Sequence, residues 1–223
     1  MKRNCSLEEI SDGALYGLDD LVEASCNGCK GQATCCHGMG CSIILDPYDI
    51  YRLTANLNVT VQELLTDKIE LNVVDGIILP NLKMTELEEG CSFLNKEGKC
   101  SIHAHRPGIC RIFPLGRYYE NHSFQYFLQK DECQNNSKTM IKVKNWIHTS
   151  EIGKNTEFLI NWHYFLNDAE KVIMNTQDEK LVKDLNLYIL NCFYLKKYEP
   201  EMDFYMQFNQ RLSEANRILN LKY

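Results

Sequence analysis

The chain has 223 residues, 44% of them hydrophobic and 24% charged, with five Pro and twelve Gly, a composition of folded globular proteins that excludes a disordered or fibrous chain. Twenty-four Lys and Arg against thirty Asp and Glu leave a formal charge of −6, so no nucleic-acid or anionic-lipid partner is expected. No apolar run of membrane-spanning length occurs, and Lys2 and Arg3 precede neither an apolar stretch nor a cleavage site; the expectation is a cytoplasmic protein without a membrane partner.

Eleven Cys in a chain with no export signal should be reduced thiols, and at about 5% of residues they fall below the density of a small disulfide scaffold. Metal or iron–sulfur ligation is the leading explanation. Nine of the eleven lie between Cys26 and Cys133, leaving Cys5 and Cys192 outside. The sequence therefore divides into a cysteine-rich module over residues 1–140 and a tail over 141–223.

The first cluster reads Cys26-Asn-Gly-Cys29, then Cys35-Cys36-His37, then Cys41. A Cys-x-x-Cys turn lets two thiolates converge on one ion, and the glycines around it permit tight loops. The adjacent pair Cys35-Cys36 has diverging side chains, so both reach one site only through a bent backbone, or else they serve two sites. A thioredoxin-like redox pair would need a βαβ context that is absent here. His37 is a candidate ligand or a hydrogen-bond donor to sulfur.

Asp46-Pro47 has the chemistry of an N-cap with proline in the first turn, and Ile50, Leu53 and Leu57 follow at helical spacing, which predicts a helix over Pro47 to Leu57. On it, Asp49 and Arg52 read as a surface pair rather than catalytic groups. Thr60 with Glu63 forms a capping box ahead of a second short helix. Leu71 to Val74, then Asp75-Gly76, then Ile77 to Leu82 read as a β-hairpin.

The second cluster reads Cys91-Ser-Phe93-Leu94, Gly98-Lys-Cys100-Ser-Ile102, Arg106-Pro107-Gly-Ile-Cys110-Arg111-Ile-Phe113-Pro114, and Cys133. His103 and His105 form an H-x-H pair, but Arg106-Pro107 favours a turn in which alternate residues do not share a face. Arg106 and Arg111 flank Cys110, where a guanidinium would neutralise thiolate charge and donate hydrogen bonds to sulfur, or else bind backbone carbonyls. Gln134 to Thr139 is polar and Asn-rich, a loop or linker. Beyond it, apolar positions at helical spacing predict three helices: Phe158 to Ile173, Leu181 to Leu195 and Pro200 to Leu219. Their aromatics, Phe158, Trp162, Phe165, Tyr188, Phe204 and Phe208, read as packing.

The order Cys-x-x-Cys, Cys-Cys, Asp46-Pro-Tyr-Asp49-Ile50, C-x-F-L, G-x-C-x-I, R-P-x-x-C-R-x-F-P over residues 24–135 resembles the YkgJ-type cysteine-cluster family, whose members are described as zinc- or iron-chelating. The resemblance implies eight ligands: Cys26, Cys29, Cys35, Cys36, Cys91, Cys100, Cys110 and Cys133, with Cys41 as a ninth candidate. His37, Arg106 and Arg111 would support them. The chain departs from the family at His103, where an aromatic is usual, and after Cys133, where Gln134-Asn135-Asn136 replaces glycines.

Eight thiolates hold either two Cys₄ zinc ions or an iron–sulfur cluster with four ligands and four thiols to spare. An iron–sulfur cluster is preferred over zinc, because a flagellin lysine methylase shares a related cysteine-cluster domain and is thought to carry one. Three functions stay open: a redox or Lewis-acid metal site, a structural zinc module without catalysis, and a lysine-methylase-like activity. The last has no G-x-G-x-x-G fingerprint to support it. The expected fold class is α+β and α-rich: a loop-dominated metal-binding cysteine module with two short helices and a β-hairpin, followed by a helical C-terminal tail packing on it.

Overall fold

A computed structural model describes residues 6–25, 34–85, 89–130 and 139–219. In chain order its elements are α1 (Leu7–Ile10), β1 (Leu21–Ser25), α2 (Pro47–Leu57), α3 (Val61–Asp67), β2 (Ile69–Val74), β3 (Ile77–Leu82), α4 (Gly108–Ile112), β4 (Leu115–Glu120), β5 (Ser123–Leu128), β6 (Thr139–Lys142), α5 (Val143–Ile147), α6 (Ile152–Met174), α7 (Glu179–Leu190) and α8 (Phe204–Ile218). Helices and small antiparallel hairpins make this an α+β protein with a helical C-terminal region. Among the described residues, no helix is long and apolar enough to cross a membrane.

The chain folds as two compact units that do not follow its linear order: Ile44–Lys83 joins the chain from Gly153 onward, and the chain up to Ile43 joins Met84–Ile152. The two short helices and the hairpin are where the sequence places them, but in the unit of the C-terminal helices.

In the first unit, the Asp46 carboxylate accepts the Asp49 N–H at 2.8 Å while the Asp49 carboxylate accepts the Asp46 N–H at 3.2 Å. This reciprocal capping starts α2 with Pro47 in its first turn. Asp49 is thus buried rather than on the surface, and the Arg52 guanidinium lies over the Tyr48 ring. Thr60 and Glu63 cap α3 in the same way. Strands β2 and β3 pair in register from Ile69↔Leu82 to Val74↔Ile77, closed by Asp75 and Gly76 at φ 52° and 82°, the turn a two-residue hairpin requires. A Cβ on Gly76 would lie 2.9 Å from the Ile173 side chain, so both conformation and space demand glycine there.

All three C-terminal helices are present. Phe158, Trp162, Phe165, Phe204 and Phe208 are buried and stack on one another and on Phe193 with ring centroids 4.6–6.1 Å apart, which bears out their reading as core; Tyr188 is half-buried. The second helix changes at Asn191–Leu195 into a π turn. There the Arg211 guanidinium donates to the carbonyls of Cys192, Lys196 and Lys197 at 2.6–2.8 Å, satisfying groups that a helix end leaves open.

The second unit was less legible. Strand β1 pairs with β6, from Leu21↔Lys142 to Ser25↔Thr139, and β4 with β5. None of these four strands is apparent from sequence periodicity. The β4–β5 turn uses Asn121 and His122, both at positive φ, without the glycine that signals a hairpin. Val22, Ala24, Ile112, Leu115, Tyr126, Val143 and Ile147 form the core of this unit. Trp146 ties α5 to α4 by donating its indole N–H to the Ile112 carbonyl at 3.0 Å.

Candidate metal centre

Cysteines 35, 36, 91, 100 and 110 all belong to the second unit. Cys35 and Cys36 lie on a 3₁₀ turn, Thr34–Cys36. The chain then runs antiparallel to the segment leading into Cys91: His37 bridges Gly90, the Gly38 N–H donates to the Glu89 carbonyl at 2.9 Å and the Cys91 N–H to the Cys36 carbonyl at 2.7 Å. This pairing sets Cys36 opposite Cys91. A Cβ at position 90 would lie 3.3–3.4 Å from the Leu94 side chain and the His37 ring, so a larger residue there would have to displace them slightly. Gly90 escaped the sequence reading, although it directly precedes a ligand candidate.

Cys91, Phe93 and Ile102 are buried. The C-x-F-L and C-x-I motifs thereby alternate a thiol with an apolar anchor. Between them Asn95 holds a tight turn, its carboxamide oxygen accepting the N–H groups of Glu97 and Lys99 at 3.0 and 2.9 Å. An Asn heading Lys-Glu-Gly is a legible turn signal that the motif reading passed over. The turn returns Cys100 alongside Leu94.

The thiols of this group sense one another. The Cys36 S–H donates to the Cys35 sulfur, and this bond, helped by the Cys35 backbone N–H, by Arg106 and by His37 against the opposing effect of burial, pulls the Cys35 thiol down to about 6. The same bond, with burial and the charges of Cys35, Cys100 and Cys91, holds the proton on Cys36. Burial raises the Cys100 thiol, opposed by the Ile102 N–H aimed at its sulfur and by the Arg106 guanidinium. Amide and guanidinium donors to sulfur stabilise thiolates and are the usual surroundings of thiolate ligands. Among the described residues no group of three or more Cys, His, Asp or Glu side chains is placed to hold a metal ion. The chemistry of the donors in this region, cysteine sulfurs with amide and guanidinium support, is that preferred by a thiophilic metal such as zinc or by an iron–sulfur cluster.

The two arginines separate. Arg106 supports Cys35 and Cys100, whereas Arg111 donates to the backbone carbonyls of His148, Ala104 and Arg106 at 3.3–3.4 Å. His103 accepts on Nε2 from Arg106 at 2.8 Å, since a guanidinium only donates. Burial and the nearby charges of Arg106 and Arg111 lower its pKa. That lone pair is engaged, which argues against His103 as a ligand; His105 is half-buried on the same 3₁₀ turn. Cys110 sits half-buried on α4, and Cys41 is exposed. Cys26, Cys29 and Cys133 lie outside the described residues.

A family model named for its CxxCxxCC pattern, and described as "Putative zinc- or iron-chelating domain", matches residues 25–144. No curated protein and no solved structure matches the chain at a significant level.

Proposed function

The chain belongs to the CxxCxxCC family, and from that premise we propose that its thiols hold an iron–sulfur cluster, with Cys26, Cys29, Cys35, Cys36, Cys91, Cys100, Cys110 and Cys133 as the ligand set. The observation that carries this reading is the backbone pairing that sets Cys36 opposite Cys91, with Arg106 favouring the thiolates of Cys35 and Cys100. Four thiolates around a metal keep net negative charge. Arg106 offsets it, and the Cys36–Cys91 backbone bond holds two ligands in register. The low Cys35 thiol and its neighbour Cys36 together lose one proton readily and a second with difficulty, so metal binding at this pair releases protons and tightens as pH rises. An iron–sulfur cluster held by these thiols would supply one-electron transfer or, with an open coordination position, Lewis acidity.

A second reading, a structural zinc module, is favoured by one feature. The loops from Cys91 to His105 bury only Phe93 and Ile102 as large apolar side chains, and loops so poor in core gain their fold from metal.

Anaerobic purification followed by absorption spectroscopy and analysis of iron, zinc and acid-labile sulfide tests both. Brown protein with matching iron and sulfide supports the cluster. Colourless protein with about two zinc per chain replaces it with the structural reading. Cys29→Ser and Cys110→Ser are each expected to lower metal content, and unchanged content in either removes that residue from the set.

A further inference from the structure

Arg106 acts on Cys35 and Cys100 through a long side chain that is only half-buried. A guanidinium on such a stem samples many rotamers unless its head is held, so the charge it keeps beside sulfur depends on what fixes it. The 3₁₀ turn His103–His105 supplies an anchor. It is closed by the His105 N–H, which donates to the Ile102 carbonyl at 2.8 Å, and it is flanked by two buried residues, Ile102 and Pro107. Pro107 confines the residue before it to extended backbone, and Arg106 sits there at φ −53° and ψ 147°. Residues three apart along a 3₁₀ turn lie one above the other, which brings the His103 ring to the Arg106 head, with Nη1 donating to Nε2 at 2.8 Å. Burial and the charges of Arg106 and Arg111 lower the His103 pKa, so the imidazole is neutral at pH 7 and keeps the lone pair that this bond needs.

We propose that His103 is a positioning residue: by accepting from Arg106 it fixes the guanidinium for Cys35 and Cys100, and so sets the charge balance of the centre those thiols form. The role in that centre rests on the reading of Cys35 and Cys100 as metal ligands, whereas the His103–Arg106 bond belongs to the protein without metal. With Nε2 accepting, Nδ1 carries the ring proton, so neither nitrogen is left to bind a metal. His103 thereby acts on the thiols through Arg106 alone. What the position requires is an acceptor three residues before Arg106, and a side chain that offers one without being an imidazole serves in its place.

Thiolate absorbance titration of the metal-free full chain tests this in His103→Leu, Arg106→Gln and the double variant. His103→Leu should lower the ionisation constants of Cys35 and Cys100 by about two- to fivefold, the worth of one partly exposed charge, in the direction of Arg106→Gln and by no more than it does. In the double variant the leucine should add nothing, because a residue that acts through Arg106 has no effect once Arg106 is gone. His103→Gln, which keeps an acceptor, should restore most of the loss. The nitrogen chemical shifts of the wild-type ring should show a protonated Nδ1 and an accepting Nε2, a preference that Arg106→Gln relaxes. Thiols unchanged by His103→Leu, or shifted equally with and without Arg106, overturn the proposal. A metal content that falls alike in His103→Leu and His103→Gln makes the ring a ligand and overturns it equally. The metal reading is judged separately: colourless zinc protein removes the cluster and leaves the His103 role standing, and thiols indifferent to His103 in a brown protein do the reverse.

Discussion

Replacing Asn186 by alanine removes the clamp between α7 and the β2–β3 hairpin. The Asn186 carboxamide accepts the Ile78 N–H at 2.6 Å and donates to the Gly76 carbonyl at 3.1 Å and to the Val182 carbonyl at 3.0 Å, and the residue is only 5% exposed. Leaving the Ile78 N–H without a partner costs about 1–3 kcal/mol, and losing the Gly76 bond about 0.5–1.5 kcal/mol more. Alanine's better helix propensity returns roughly 0.5 kcal/mol. The net is about 1–4 kcal/mol. Because the chain has two compact units, a local observable is the sharper assay: protection of the Ile78 amide should fall by about 5- to 700-fold, the same energy converted at about 1.4 kcal/mol per tenfold. Asn186→Asp keeps the acceptor for Ile78 and loses the donor to Gly76, so its loss should be intermediate. An Ile78 amide that exchanges at nearly the wild-type rate in the alanine variant would refute the clamp.

In metal-free protein, Arg106→Gln should raise the Cys35 and Cys100 thiols in a thiolate absorbance titration, whereas Arg111→Gln, at a guanidinium that donates to backbone carbonyls, should leave those two unchanged. Cys36→Ala removes the S–H that Cys35 accepts and should move the Cys35 thiol up toward its ordinary value, slowing its alkylation near neutral pH. The depressed Cys35 thiol also makes the stability of metal-free protein pH-dependent. Its contribution is complete above the unfolded thiol value and is lost as pH falls through about 6, while retention of the Cys36 proton makes stability decline again once unfolded thiols ionise; denaturant midpoints that are flat from pH 5 to pH 10 would contradict this. Arg211→Met strands the three carbonyls under the π turn and should destabilise the helical unit by about 3–5 kcal/mol. Arg211→Lys should rescue only part of that, because an ammonium cannot reproduce the fork or the stacking over Tyr198 at 3.6 Å; equal melting of Lys variant and wild type would reject the geometry.

Elements governed by neighbouring residues were legible in the sequence. Asp46-Pro47, Thr60 with Glu63, and Asp75-Gly76 each act within three or four positions, and the structure places α2, α3 and the hairpin turn where those residues predict them. The apolar stripes of α6, α7 and α8 were readable for the same reason, since 3.6-residue periodicity is a local property. What was misread depended on distant partners. Asp49 looked like half of a surface pair, but its burial follows from the packing of α2 and its carboxylate from the reciprocal cap. Strands β1 and β6 are short and separated by more than a hundred residues, and the β4–β5 turn lacks glycine, so neither carries a local mark strong enough to announce itself.

For the candidate site, the sequence alone determined the chemistry: cysteines in a fixed order, the two apolar residues Phe93 and Ile102 between them, and a family whose model covers residues 25–144. Tertiary structure decided which of these meet. It set Cys36 opposite Cys91 through a backbone pairing that packs tightly at Gly90, gave Arg106 to the thiols and Arg111 to carbonyls, and drew Ile44–Lys83 out of the middle of the cysteine-rich stretch into a unit with the C-terminal helices. Ligand type is a property of single side chains and turn type of adjacent ones, so both are written along the chain. Convergence and burial are properties of pairs far apart in sequence, and only the packing of the folded chain selects them.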